Sequence, residues 1–199
     1  WQSKVHPLFR WLGDEDPASL RAICHTAIAE IVVFEADVIF CPGEVSSNPC
    51  MLFVLSGVLQ YIQTDDDMDV LDLDGAMPGR EVAPGEWLCE HFLWTKWIYQ
   101  GMLLAKTESR FLAVTARRFQ EILSNTKSKL SVYAGQFVAA INLEIETMSD
   151  LGSSVDSESI VGKLGGGGPR RPSFLTGMRP GATAATVPAL DNPASVVPL

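Results

Sequence analysis

The chain has 199 residues and a formal net charge of −9, from 24 acidic and 15 Lys or Arg side chains. That length holds one domain of ordinary size and an appendage. The charge excludes nucleic acid and anionic membrane surfaces as partners, because both require a basic patch that releases counterions. The excess acid lies in the first three quarters, since the four acids from Asp150 onward are matched by four bases. The four cysteines, Cys24, Cys41, Cys50 and Cys89, show no metal-ligand spacing and each sits in apolar sequence. They read as reduced thiols of an intracellular core. No run approaches the ~18 apolar residues of a membrane span, and no secretory signal pattern opens the chain. The first residue is Trp1 rather than Met, so a piece of a longer protein is expected.

In chain order, His6-Pro-Leu-Phe9 with Trp11 and Leu12 is an apolar opening long enough to pack one helical turn. Asp16-Pro17 is a helix start, with Asp as N-cap and Pro at the first helical position. Leu20, Ile23, Cys24, Ala27 and Ile28 then form one stripe at helical spacing. From Ala29 the pattern changes. Ile31–Phe34, Val38–Phe40, Leu52–Leu55 and Val58–Ile62 are short β-branched or aromatic runs separated by turn residues, which predicts strands. Pro42-Gly43, Ser56-Gly57 and Pro84-Gly85 mark turns. Val70–Leu73 and Arg80–Ala83 read as a hairpin, and the runs at Gly101–Ala105 and Ser109–Val114 as two further strands. Thr115 caps a helix with Phe119, Ile122 and Leu123 on one face. A longer helix is expected from about Asn125 to Met148, striped by Leu130, Tyr133, Phe137, Val138, Ile141 and Ile145. Beyond Met148 the composition turns to Gly, Pro, Ala, Ser and Thr, including four consecutive glycines from Gly165, and a disordered tail is expected.

The expected fold is therefore α+β: a jelly-roll-like antiparallel β-roll of about eight strands, an N-terminal helix and two C-terminal helices. Residues 1–148 would form the domain and 149–199 the tail. Four segments, in this order and spacing, resemble the cyclic nucleotide-binding domain family. They are Asp37-Val-Ile-Phe-Cys-Pro-Gly43-Glu, Leu52-Phe-Val-Leu-Ser-Gly57-Val-Leu-Gln, Val82-Ala-Pro-Gly85-Glu and Phe111-Leu-Ala-Val-Thr with Phe119. The His-Pro-Leu-Phe opening and Leu93-Trp94-Thr-Lys-Trp97 are most similar to the C-terminal cytoplasmic domains of voltage-gated potassium or cyclic nucleotide-gated channels of protists and algae. The resemblance implies Gly57 and Gly85 at tight turns. It also implies a phosphate-binding cassette of glycine, then glutamate for the ribose, then arginine nine residues on for the phosphate. Here the cassette reads Leu88-Cys89-Glu90, with Cys89 in the glycine's place and Tyr99, followed by Gln100, in the arginine's. A buried phosphate without a cation is costly. cAMP or cGMP is expected to bind weakly, no cofactor is expected, and the pocket would be empty, apolar or filled from within. Lys96 is the nearest substitute cation in sequence. Phe137 and Ile141 would lie on the helix that closes over the pocket in this family.

Asp72-Leu-Asp74-Gly75 with Glu81 approaches a calcium-loop pattern but lacks its first acid and contains Pro78, so a solvated acidic hairpin tip is the better reading. Cys89-Glu90-His91 contains the residue types of a nucleophile, an acid and a base. Adjacent residues of a strand face opposite ways, however, and no enzyme is expected. His6 and His25 read as packing residues. Trp87, Trp94 and Trp97 read as core around the cassette, with a contact surface for a neighbouring subunit as the alternative. Arg170-Arg171-Pro172-Ser173 fits a basophilic kinase, with Ser173 as acceptor. The expected function is a regulatory domain at the cytoplasmic face of a cation channel, partnered by its transmembrane region or by neighbouring subunits. The alternatives are a soluble regulatory subunit with a divergent cAMP or cGMP site and a ligand-free scaffold.

Overall fold

A computed structural model of the chain describes residues 6–63, 79–124 and 130–164. The opening is a full helix, α1 (Pro7–Glu15), rather than a single turn. His6 at its N-cap is extended (φ −86°, ψ 128°) and makes no side-chain cap, as expected of a residue preceding proline. Asp16 ends α1 and caps α2 (Pro17–Thr26), accepting from the Ser19 N–H at 3.1 Å and the Ser19 hydroxyl at 2.6 Å. Leu8, Phe9, Leu12 and Ile23 are fully buried.

Eight strands follow among the described residues: β1 (Ile28–Val33), β2 (Val38–Phe40), β3 (Cys50–Ser56), β4 (Leu59–Gln63), β5 (Arg80–Val82), β6 (Trp87–Leu88), β7 (Gly101–Ala105) and β8 (Ser109–Thr115). They form two antiparallel four-stranded sheets, ordered β1-β8-β3-β6 and β2-β7-β4-β5. Alternation along β7 and β8 sends Leu103, Phe111 and Ala113 inward to the shared core. β1 is an edge strand with both ends half-buried and its middle exposed. The eight-strand roll matches the expectation. β5 pairs with β4, while Val70–Leu73 and the calcium-like loop fall outside the described residues.

The helical complement exceeds what the sequence led us to expect. α3 (Ala116–Ser124) follows β8 directly, and α4 (Leu130–Leu143) is shorter than the stripe from Asn125 to Met148. A 3-10 turn at Ile145–Thr147 then leads into an extended strap through Met148 and Leu151. The segment expected to be disordered from residue 149 contains a further helix, α5 (Ser157–Leu164), which packs on α1 and α4. The ordered domain thus runs at least to Leu164, not to Met148. Two local reasons are visible: Asp156 accepts from the Ser159 N–H at 3.0 Å, a helix start, and Ile160 and Leu164 at i, i+4 spacing are buried. Ser173 and the kinase-like sequence lie outside the described residues.

Gly57 and Gly85 both occupy turns with positive φ, 90° and 96°. They differ in surroundings. A Cβ on Gly57 would lie 2.5 Å from the Glu108 carbonyl oxygen and overlap the Ser109 hydroxyl, whereas one on Gly85 meets nothing within 4 Å. Gly85→Ala is expected to cost about 1 kcal/mol from the left-handed backbone alone. Gly57→Ala should cost roughly 2–4 kcal/mol because clash adds to strain. Urea melts of the two variants check this, and equal losses would contradict it.

Candidate functional site

Of the cassette residues, Leu88 ends β6, and Cys89 and Glu90 follow it directly. Cys89 is left-handed, with φ 63° and ψ 31°, and fully buried. That is the backbone of a glycine carrying a side chain, at a cost of about 1–2 kcal/mol. Its thiol is pushed up by burial and then by the charge of Asp150, so it is protonated and a poor nucleophile. Glu90 begins a 3-10 turn running to Leu93 and is 1% exposed.

Glu90 has no acceptor capacity to spare. His6 Nε2 lies 2.9 Å from Oε2 and the Ser157 hydroxyl donates to the same oxygen at 3.1 Å. The Tyr133 hydroxyl donates to Oε1 at 2.7 Å, with the Trp94 indole N–H at 3.4 Å. Burial alone would raise the carboxyl's pKa. The His6 charge and hydrogen bond, with those of Tyr133 and Ser157, outweigh it and hold the pKa below the ordinary range. The carboxylate is therefore ionised and Nε2 of His6 carries the donated proton. His6, expected only to pack, is a ligand of this carboxylate. It also stands edge-on to Trp87 with 4.6 Å between ring centres.

The second carboxylate of the site was not anticipated. Asp150, fully buried, reaches into the roll from the strap after α4. Its Oδ2 accepts from the Gln100 N–H at 2.9 Å, the Gly101 N–H at 3.0 Å and the Tyr61 hydroxyl at 2.8 Å, and Oδ1 from the Trp97 indole at 2.7 Å. The strap's backbone joins in. Cys89 N–H donates to the Asp150 carbonyl at 2.7 Å, and Leu88 and Leu151 form an antiparallel bridge. Gln100 thus belongs to the site through its backbone N–H, one residue beyond Tyr99. A Cβ on Gly101 would lie 2.6 Å from the Tyr61 hydroxyl oxygen, which explains the glycine there. Burial raises the Asp150 pKa and the four hydrogen bonds oppose that rise.

Tyr99, at the arginine position, points away from this chemistry, stacked on Phe40 at 4.0 Å and 7°. Lys96, the substitute cation, is exposed. No Lys or Arg ion pair reaches either carboxylate among the described residues. Phe137 and Ile141 on α4 are fully buried. Trp94 and Trp97 are core residues, and Trp97 is also a donor to Asp150. His91 is buried between Trp97, stacked at 4.2 Å, and Phe137, edge-on at 5.7 Å. Neither of its ring nitrogens has a hydrogen-bond partner among the described residues. A cyclic nucleotide does not fit these residues: its ribose acceptor is saturated, its phosphate position has no cation, and Asp150 holds the backbone donors.

No protein-family model matches the chain, and no curated protein matches it. Among solved structures, the sensor domain of the transcriptional regulator DNR from Pseudomonas aeruginosa is similar with a TM-score of 0.51 and 13% identity, over 74% of this chain and 91% of that one. The N-terminal domain of a transcriptional regulator from Streptomyces coelicolor A3(2) gives 0.51 and 22%, over 71% and 92%. A cyclic nucleotide-binding-like protein from Brucella abortus gives 0.46 and 20%, over 58% and 97%, too low a score to weigh. The first two likenesses establish a shared fold and nothing more. None of the three is described as a channel. Among the described residues no helix is long and apolar enough to cross a membrane.

Burial, against the pull of Glu90, lowers the His91 pKa from 6.5 to about 4. A base depressed in the fold contributes stability that is complete above its unfolded pKa and lost as pH falls toward the folded one. Between pH 8 and pH 4.5 His91 should therefore remove about 2–3 kcal/mol of stability. In His91→Phe, which keeps the stack on Trp97, that component disappears. The contributions of Glu90 and Asp150 are common to both proteins, so the difference between their pH–stability curves isolates His91. Parallel curves would contradict the assignment.

Proposed function

We propose that this chain is a regulatory, non-enzymatic module of the cyclic nucleotide-binding type whose ligand position is occupied by its own Asp150–Leu151 strap. The observation that carries the reading is the Asp150 carboxylate, held by two backbone N–H groups, a phenol and an indole where the resemblance places the phosphate. The packing of α4 supports the reading, because its Tyr133 is bonded to Glu90. Regulation then acts by releasing or retaining the strap, and α4 and α5 carry the outcome because both contact the same carboxylate. By analogy with the DNR sensor domain, whose fold this chain shares, the proposal extends to a sensing role.

Two settings for such a module follow from different observations. The phrases around His6 and Trp94 support a domain on the cytoplasmic face of a potassium or cyclic nucleotide-gated channel, partnered by its pore region or neighbouring subunits. The two fold likenesses support an intracellular regulator instead. The Ser173 sequence adds a kinase as a partner on sequence grounds alone.

Calorimetric titration of the full chain with cAMP and cGMP tests the central claim. The expected dissociation constants are weaker than about 100 μM, and a low-micromolar value would restore a conventional nucleotide sensor. Cys89→Gly with Tyr99→Arg should not rescue binding while Asp150 remains seated. Amide exchange along α4 is expected to be slow without ligand, and exchange slowed only by adding a nucleotide would also count against the proposal.

A further inference from the structure

Three features of the strap's seat, one of backbone and two of side chain, together describe a peptide. Resting on the self-occupied pocket proposed above, the geometry points to a peptide-recognition groove along β6 and the Gln100–Gly101 turn. Its ligand is an Asp-Leu-Gly segment that bridges to β6 at its leucine and enters a 3-10 turn at its glycine, and the groove takes such a segment from another chain when its own strap is out.

Backbone contacts supply the first argument. β6 is the edge of its sheet, and the strap lies along it through the Leu88–Leu151 bridge and the Cys89 N–H to Asp150 carbonyl bond of 2.7 Å. Strand addition to a sheet edge uses main-chain groups, which do not depend on which molecule owns the strand. Side-chain readout is the second. Four neutral donors converge on two oxygens at 2.7–3.0 Å, and no cation accompanies them. A planar monoanion satisfies all four. A phosphate dianion would bring a further charge with nothing to offset it, and an asparagine would turn an NH2 toward N–H or O–H donors. The third is shape. Leu151 is 8% exposed, and a Cβ on residue 152 would overlap the Trp87 indole, so the position after the leucine admits glycine.

The test uses the full chain carrying Gly152→Val, which displaces the strap and leaves every cradle residue intact. The probe is an N-acetylated, C-amidated Ser-Asp-Leu-Gly peptide, read by calorimetry and by Trp97 fluorescence. Binding with a dissociation constant below ~1 mM is expected, with at least a tenfold loss when the peptide's Asp is replaced by Asn, and no binding to the wild-type chain. A folded variant that binds neither peptide, or binds both equally, overturns the inference. If that variant binds cAMP at micromolar concentration and not the peptide, the groove is a nucleotide site uncovered by the strap. That outcome overturns the peptide inference while the self-occupied pocket stands, whereas micromolar cAMP binding by the wild-type chain overturns the latter.

Should Gly152→Val fail to fold, Asp150→Ala keeps the strap's backbone and empties only the carboxylate's place. Sodium acetate should then raise its Tm by several degrees relative to sodium chloride at equal ionic strength, with no such gain for the wild type. Equal responses of the two proteins to acetate overturn the inference.

Discussion

A carboxylate removed from water must be given back its hydrogen bonds, and Glu90 organises the helical half of this protein on that condition. An ion of this kind costs several kcal/mol to bury even after the protein relaxes around it. Its donors come from four separate places: His6 ahead of α1, Trp94 after the 3-10 turn, Tyr133 in α4 and Ser157 at the start of α5. Each of those segments is held against the roll by the same charge. The geometry also accounts for an oddity at α1. His6 sits at its N-cap yet caps nothing. Pro7, lacking an N–H, leaves one fewer donor to satisfy, so the imidazole is free to serve Glu90.

Asp150 solves the same problem by opposite means. Glu90 has a basic partner and its pKa is held down, whereas Asp150 has neutral donors and its pKa is raised by burial. The neutral solution is what a strap of the same chain requires. A cation in the cradle would bind any anion that diffused in, while four oriented dipoles favour one carboxylate delivered at one angle by a tethered backbone. Around it, the side chains at the cassette positions are used for packing. Cys89 is buried on a left-handed backbone, Tyr99 stacks on Phe40, and His91 lies unbonded between two aromatic rings. Burial disfavours charge on the unbonded imidazole, as it does on Asp150.

Much of the roll was legible residue by residue because its determinants are local. Short β-branched runs closed by Gly43, Gly57 and Gly85 state both strand and turn within a few positions, and all three glycines have positive φ. Asp16-Pro17 declared α2 in the same way. α5 was missed because its eight residues sit inside a Ser- and Gly-rich stretch whose bulk composition outweighed a real signal, the Asp156 cap with Ile160 and Leu164. Spacing carries the reading of the cassette only as far as residue identity, with Cys89 before Glu90 and Tyr99 nine residues on.

By itself, the sequence determined the order of strands and turns, the position of Glu90 and the absence of an arginine between Glu90 and Arg110. Those follow from side-chain period, turn chemistry and residue identity, all of which act over a few bonds. Only the tertiary structure decided which donors meet the two buried carboxylates. Asp150 meets Tyr61 across 89 positions, Trp97 across 53 and Gln100 across 50, and Glu90 meets His6 across 84. No local pattern encodes such pairs. They exist because folding removes two carboxylates from water, and the chain must bring distant donors to them.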